Sequence, residues 1–126
     1  METIRTDEAP DAVGAYSQGR VVEGLVHTSG QIGLDPDSGE LVDADPEGEL
    51  RRCLRNVLAV VRAGGGSRRS LVKTRAFLLD LEDYDTLNSI YAELLEEPLP
   101  ARSVVEVNDL PGGARVEIEA VAAVEA

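Results

Sequence analysis

The sequence has very few of the side chains that build disulfides and metal sites. It contains one cysteine, Cys53, and one histidine, His27. A single cysteine excludes a disulfide within the chain. Zinc and di-iron sites need more histidine or cysteine ligands than this chain has. We therefore predict no metal site, and we assign His27 no role beyond its place in a strand.

Aromatic residues are also scarce, since the chain of 126 residues has three tyrosines, one phenylalanine and no tryptophan. The hydrophobic fraction of 43% still suffices for a core, which must consist of Val, Leu, Ile and Ala. The length fits one domain spanning residues 1–126. No segment approaches the roughly 18 apolar residues of a membrane span, and the N-terminus does not resemble a signal peptide. We expect a cytoplasmic protein that binds no membrane.

Positive charge is scarce, and lysine is almost absent. The 24 acidic residues outnumber 12 basic ones, Lys73 is the single lysine, and the net charge is −12. Nucleic-acid binding normally needs a basic patch that neutralises phosphates, so we expect no nucleic-acid partner. Acidic excess with little lysine is also typical of cytoplasmic proteins from extreme halophiles, where salt screens self-repulsion. We hypothesise a halophilic source; the alternative is an ordinary acidic enzyme.

Hydrophobic periodicity and capping residues predict two helices and six strands. The first helix is capped by Asp45 and ends at Gly64, and its apolar stripe includes Cys53, which we assign to the core. The second helix runs from Asp80 to Glu96. The predicted strands are residues 4–6, 20–22, 25–29, 71–79, 100–107 and 115–121, with Glu23-Gly24 as the turn between the second and third.

This order of elements favours an α+β fold, in which a six-stranded mixed sheet has two helices packed on one face. The second face of the sheet also reads as apolar, because Val72, Thr74, Ala76, Leu78 and the last strands carry few polar groups. If both faces of a sheet are apolar and helices cover only one, another protein chain must cover the second face. We therefore predict a homo-oligomer that packs sheet against sheet.

The last two predicted strands carry charged residues among β-branched ones. We predict that they form a hairpin, with Arg102 on one strand and Glu117 on its neighbour. A guanidinium binds a carboxylate through two charge-assisted hydrogen bonds, and a nearby carboxylate can orient or deprotonate a water molecule. The pair suits a small organic acid that is attacked by water. The alternative is a surface ion pair, in which Glu117 or Glu119 is only the counter-charge of Arg102.

Four motifs follow one another along almost the whole chain: GAYSQG at 14–19, TSGQI at 28–32, LNSIY at 87–91, and PARS at 100–103 followed by VEIEA at 116–120. Together they resemble the RidA family of reactive-intermediate deaminases, also called YjgF. The resemblance implies a chorismate-mutase-like fold and a homotrimer with three ligand clefts between subunits. It also implies hydrolysis of 2-imino acids, such as 2-iminopropanoate and 2-iminobutanoate, to 2-oxo acids and ammonia without a cofactor. The alternative is a non-catalytic module of the same fold that binds small carboxylates.

The resemblance also implies roles for single residues. Arg102 would bind the substrate carboxylate, and Glu117 would orient or deprotonate the attacking water. Tyr16 would close the pocket from a neighbouring subunit, although its residue type alone also suits a packing role. The remaining residues implied to line the pocket are Ser29, Gly30, Asn88 and Val104. For Asn88 a purely structural hydrogen bond is an equally good interpretation.

The sequence departs from the family pattern in two places. Val104 stands where many members have a cysteine, so we expect it to shape the pocket and to contribute only its main chain. The segment between Tyr91 and Arg102 is a few residues shorter than in bacterial members. The loop of residues 96–99 can therefore cover the cleft differently, which leaves the size of the substrate open.

Overall fold

The computed structural model describes all 126 residues of the chain. The strands are β1 (Glu2–Ile4), β2 (Gly19–Val22), β3 (Leu25–Thr28), β4 (Leu71–Leu78), β5 (Ala101–Glu106) and β6 (Val116–Ala123), and the helices are α1 (Pro46–Ala63) and α2 (Tyr84–Leu94). The strands form one six-stranded sheet in the order β1-β2-β3-β6-β4-β5. Only β4 and β5 are parallel. Both helices pack on one face, so the predicted α+β fold is confirmed.

Helix α1 begins and ends where its capping residues predict. The side chain of Asp45 accepts a hydrogen bond from the Gly48 amide at 2.9 Å, and Pro46 occupies the first turn, where a missing N–H is harmless. Gly64 ends the helix. The buried stripe contains Leu50, Cys53, Leu54, Val57, Leu58 and Val61, as predicted. No helix combines the length and the apolarity that a membrane span requires.

The hairpin of β2 and β3 is also confirmed. Glu23 and Gly24 form its turn with φ values of 49° and 77°, which is the left-handed backbone that a two-residue hairpin turn needs. The first strand begins two residues earlier than predicted, since β1 spans Glu2–Ile4 rather than residues 4–6.

Helix α2 is shorter than the predicted helix of residues 80–96. Its N-terminal end is preceded by a 3₁₀ turn over Leu81–Asp83, and it ends because Leu95 has an extended backbone with φ −105° and ψ 161°. Tyr84 is 42% exposed, so the predicted buried stripe is present only from Leu87 onwards.

The predicted C-terminal hairpin is wrong. Strands β5 and β6 do not pair, because β4 lies between them and bonds to both. Helix α2 provides the long crossover that a parallel pair requires, so β5 returns to the edge of the sheet beside β4. The chain then passes through residues 107–115 and inserts β6 between β3 and β4.

The two faces of the sheet differ in polarity. Side chains alternate along a strand, so Thr74, Ala76 and Leu78 share the face under the helices, where all three are buried. The open face is more polar than predicted, because Thr74, Ala76 and Leu78, on which the prediction partly rested, face the helices. The strand register places these charged residues on the open face: Arg20, Lys73, Arg75, Glu117 and Glu119. Apolar side chains lie among them, namely Phe77, Val105 and Val121.

Candidate active site

Glu117 lies on the open face of the sheet and borders a cavity of about 410 Å³. The walls of this cavity include Tyr16, Ser29, Gly30 and the apolar side chain of Ile32. The structure thus brings four of the predicted site residues together, and we call Tyr16, Ser29, Gly30 and Glu117 the Glu117 group.

Gly30 is held directly against the carboxylate of Glu117. A Cβ atom at position 30 would lie 2.6 Å from Oε2 of Glu117, which is closer than real side-chain contacts allow. The next residue, Gln31, exchanges two main-chain hydrogen bonds with Ile118, at 2.8 and 2.9 Å. These bonds fix the segment beside β6, so any larger residue at position 30 would require the side chain of Glu117 to move from its present position.

The surroundings of Glu117 favour its protonated form more than water does. Burial raises the pKa of Glu117 above the usual 4.5, and the negative charge of Glu119 raises it further. The nearby cation Arg75 pairs with Glu119, at 3.3 Å between Nη1 and Oε2, and forms no ion pair with Glu117. A carboxylate with a raised pKa is a stronger proton acceptor, which suits a group that removes a proton from water.

Ser29 and Tyr16 reach the cavity from two neighbouring segments. The hydroxyl of Ser29 donates to the carbonyl of Ser17, and its amide donates to the carbonyl of Gln18 at 2.8 Å. The hydroxyl of Tyr16 accepts from the amide of Val13 at 3.3 Å. Tyr16 is 52% exposed, so its ring does not pack in the core of this chain.

Arg102 lies on the other face of the sheet, beside α2. Its Nη2 donates to Oδ1 of Asn88 at 2.7 Å and to the hydroxyl of Tyr84 at 3.3 Å. Its guanidinium carbon lies 4.8 Å from the ring centroid of Tyr91, and a cavity of about 440 Å³ opens beside it. Arg102 forms no ion pair, which removes the alternative of a surface pair with Glu117.

Val104 follows Arg102 by two residues and therefore faces the same side of the sheet. It lines a separate recess with Leu81 and Tyr84. Since β5 is an edge strand, half of its main-chain groups point away from β4. We call Asn88, Arg102 and Val104 the Arg102 group.

The two groups do not meet within one chain. Arg102 lies opposite Thr74 and Glu117 opposite Phe77 on β4, so their side chains point to opposite faces of the sheet. One strand separates β5 from β6, which places them about 10 Å apart. Three residues of offset along β4 add about another 10 Å. A small acid bound to Arg102 therefore cannot reach the Glu117 of the same chain.

Polar side chains of α1 that were not predicted as site residues support the wall of the Glu117 cavity. Nδ2 of Asn56 donates to the carbonyls of Ile32 and Leu34, at 3.0 and 2.9 Å. The thiol of Cys53 donates to the carbonyl of Gln31 at 3.1 Å. Both side chains are fully buried, and burial raises the pKa of the Cys53 thiol. Cys53 is thus a core residue as predicted, and Asn56 holds the loop in place.

Replacing Asn56 with leucine should lower the free energy of unfolding by about 3 kcal/mol, because two buried carbonyls lose their donor. Denaturant unfolding at a fixed protein concentration measures the change. The matched control is Arg55→Gln, which alters an exposed neighbour and should change stability by less than about 0.5 kcal/mol. Equal stability of Asn56→Leu and the wild type would show that these hydrogen bonds do not hold the loop.

Known proteins resemble this chain over nearly its full length. Residues 6–124 match the family model described as Endoribonuclease L-PSP. The 2-iminobutanoate/2-iminopropanoate deaminase of Rattus norvegicus is 42% identical over 121 residues, which cover 96% of this chain and 88% of the rat protein.

Solved structures agree with the sequence comparison. RidA from an Antarctic Psychrobacter bacterium superposes with a TM-score of 0.94 at 41% identity, covering 98% of this chain and 100% of that one. TdcF of E. coli with bound serine gives a TM-score of 0.94 at 39% identity, covering 99% and 100%. Sequence, fold and length therefore agree, and the chain belongs to the YjgF/RidA family.

Proposed function

We propose that the protein is a hydrolytic deaminase of reactive 2-imino acids, with 2-iminopropanoate and 2-iminobutanoate as substrates. The observation that carries the proposal is Arg102, a guanidinium without a counter-ion beside an open cavity. Such a cation suits the carboxylate of a small acid. Relatives from rat and human, both 42% identical, are named for this activity. The serine bound to E. coli TdcF is also a small carboxylate.

We further propose a homotrimer in which each cleft joins the Arg102 group of one chain to the Glu117 group of the next. The separation of the two groups within one chain supports this arrangement, since a closed symmetric oligomer can bring them together. The open face of the sheet, with Phe77, Val105 and Val121 uncovered by helices, offers a surface for assembly. In the proposed cleft Arg102 and Glu117 come from different subunits. The hairpin predicted from the sequence would have placed both residues in the same subunit.

In the proposed reaction, Arg102 binds the carboxylate of the protonated imine. Glu117 accepts a proton from a water molecule while the water oxygen bonds to the imine carbon and the C=N π-electrons move to nitrogen. The same carboxyl then returns the proton to nitrogen, and the C–N bond breaks as the hydroxyl oxygen forms the C=O bond. Glu117 accepts the hydroxyl proton in this step and passes it to the departing ammonia. Water and the iminium ion thus give the 2-oxo acid and an ammonium ion. Positioning of the water beside an electrophilic carbon contributes much of the acceleration.

A coupled assay tests the proposal. A threonine or serine dehydratase releases the enamine that tautomerises to the imine, and this protein should accelerate the appearance of 2-oxobutanoate or pyruvate. If the protein is instead a non-catalytic binding module, it will bind 2-oxobutanoate without accelerating its formation. The acidic surface does not favour the RNA substrate that the description of the family model suggests.

We also propose that the protein works in the cytoplasm of a halophile, where such dehydratases release their products. The acidic excess supports this, because concentrated salt screens repulsion between carboxylates. The coupled assay is therefore run in dilute buffer and in molar KCl. An absence of acceleration under both conditions would contradict the proposed activity, whereas equal stability in both would contradict only the halophilic origin.

The activity should fall at acidic pH as Glu117 becomes protonated. Because burial and Glu119 raise the pKa of Glu117 in the free enzyme, the acidic limb of kcat/KM should lie above pH 4.5, the usual value for a glutamate. Glu119→Gln removes one cause and should move the limb to lower pH while the plateau remains. The measurement is a pH–rate profile corrected for uncatalysed imine hydrolysis. An unchanged limb in Glu119→Gln would show that Glu119 does not affect the base.

A further inference from the structure

Two tyrosines surround the guanidinium of Arg102, and the proposed reaction uses neither. The guanidinium carbon lies 4.8 Å from the ring centroid of Tyr91 and 5.4 Å from that of Tyr84. Both distances fall within the range of cation–π attraction. The hydroxyl of Tyr84 also accepts a hydrogen bond from Nη2 of Arg102 at 3.3 Å.

The ring of Tyr91 is itself fixed in place. Its hydroxyl is 2.8 Å from Oγ1 of Thr74, a fully buried residue of β4, and Tyr91 is buried too. Burial raises the pKa of Tyr91 to about 12, so the ring stays neutral at any working pH. Arg102 therefore packs against a rigid and neutral ring on α2. This ring does not compete with the substrate carboxylate for the guanidinium.

This arrangement leaves the binding edge of the guanidinium free. Arginine presents its N–H donors in the plane of the group, and aromatic rings attract it through its face. Asn88 and the hydroxyl of Tyr84 both accept from Nη2, and neither bonds to Nε or Nη1. The remaining donors stay available for the carboxylate of a ligand. The contacts with the rings also keep the long, flexible side chain of Arg102 from pairing with a surface carboxylate of the protein.

We propose that Tyr84 and Tyr91 are positioning residues that hold Arg102 in the orientation in which it binds the substrate carboxylate. The inference rests on the proposed function for the identity of the ligand. It assigns the two rings no contact with the reacting atoms. Their effect should therefore appear in binding and in KM, and kcat should stay unchanged.

Tyr84 gives the cleaner test, since its partial exposure makes substitution tolerable. Tyr84→Leu removes the ring and should weaken binding of 2-oxobutanoate about fivefold, with KM rising to the same extent and kcat staying within about twofold. Tyr84→Phe keeps the ring, loses only the hydroxyl, and should restore most of the affinity. Titration followed by NMR measures 2-oxobutanoate binding without depending on turnover.

A double-mutant cycle establishes that Tyr84 acts through Arg102. In an Arg102→Ala background, Tyr84→Leu should cause no further loss of affinity for 2-oxobutanoate. An equal loss in both backgrounds would overturn the inference, as would an unchanged KM in Tyr84→Leu or an absence of 2-oxobutanoate binding by the wild type. Binding that depends on Tyr84 in a protein without turnover would uphold the positioning role and reject the deaminase.

Tyr91→Phe and Thr74→Val form a matched pair for the second ring. Both break the hydrogen bond between Tyr91 and Thr74 and keep the aromatic ring, so both should retain most of the affinity for 2-oxobutanoate. Tyr91→Leu should lose affinity about fivefold or more. Thermal unfolding identifies any variant that fails to fold, and in that case the Tyr84 variants decide the outcome.

Discussion

Replacing Arg102 with alanine should lower kcat/KM for 2-imino acids by about 10²- to 10³-fold, because the substrate carboxylate loses its charged partner. Binding of 2-oxobutanoate should weaken by a similar factor. Arg102→Lys should recover only part of the loss, since an ammonium cannot form the planar two-bond contact of a guanidinium. The coupled dehydratase assay gives the rates, and titration with 2-oxobutanoate gives the affinities.

The matched control is Arg62→Ala, which removes the same charge from an exposed position near the end of α1. It should leave kcat/KM unchanged, so a loss specific to Arg102 cannot come from net charge alone. An Arg102→Ala variant that binds 2-oxobutanoate as tightly as the wild type would show that the carboxylate lies elsewhere.

Replacing Glu117 with glutamine should lower kcat by about 10²- to 10⁴-fold, because the water loses its proton acceptor. Affinity for 2-oxobutanoate should change little, since Arg102 still binds the carboxylate. This split distinguishes Glu117 from Arg102, whose loss acts on binding. A normal kcat in the Glu117→Gln variant would show that Glu117 lines the cavity but does not take part in catalysis.

Glu117→Gln should lose activity without losing stability. The raised pKa of Glu117 means that folding disfavours its charged form, so the carboxylate destabilises the protein above that pKa and has no such effect once both states are protonated. At neutral pH the variant should unfold at the same denaturant concentration as the wild type or at a higher one. A clear loss of stability would indicate a structural role.

Gly30→Ala approaches the same carboxylate without removing its charge. The new methyl group would lie 2.6 Å from Oε2 of Glu117 and must displace it. We expect a large loss of kcat with retained affinity for 2-oxobutanoate, as in Glu117→Gln. A fully active Gly30→Ala variant would mean that the carboxylate can work from a shifted position.

Local signals in the sequence predicted the elements whose ends are determined by neighbouring residues. Asp45 and Gly64 delimit α1, and Glu23-Gly24 determine the turn between β2 and β3. The order of the strands depends instead on contacts distant in sequence. Nothing local distinguishes a hairpin of β5 and β6 from the observed sheet, where β4 lies between them. Recognising β4, α2 and β5 as a parallel crossover unit would have indicated the observed order.

The candidate site was predicted residue by residue but not in its arrangement. The motifs identified Arg102 and Glu117, yet the strand register sends their side chains to opposite faces of the sheet. The burial of the polar residues Glu49 and Asn56 of α1 was missed, although both follow the helical spacing of the apolar stripe that contains Cys53. A polar residue within an apolar helical stripe indicates a buried side chain that forms hydrogen bonds with nearby main-chain groups.

The proposed cleft predicts that Arg102 and Glu117 act from different chains, and a subunit-mixing experiment tests this most directly. Arg102→Ala and Glu117→Gln chains with different affinity tags are co-expressed, and the mixed oligomers are isolated through both tags. Each parent oligomer has no intact cleft. In the proposed trimer every mixed ring has two chains of one kind and one of the other, so about one cleft in three joins an intact Arg102 to an intact Glu117.

The isolated mixed trimers should therefore regain about one third of the wild-type rate per cleft, because selection with two tags removes the parent oligomers, which have no intact cleft. If both residues act within one chain, each mixed cleft still lacks one of them. Activity in the mixture that stays at the level of the inactive parents would contradict the account.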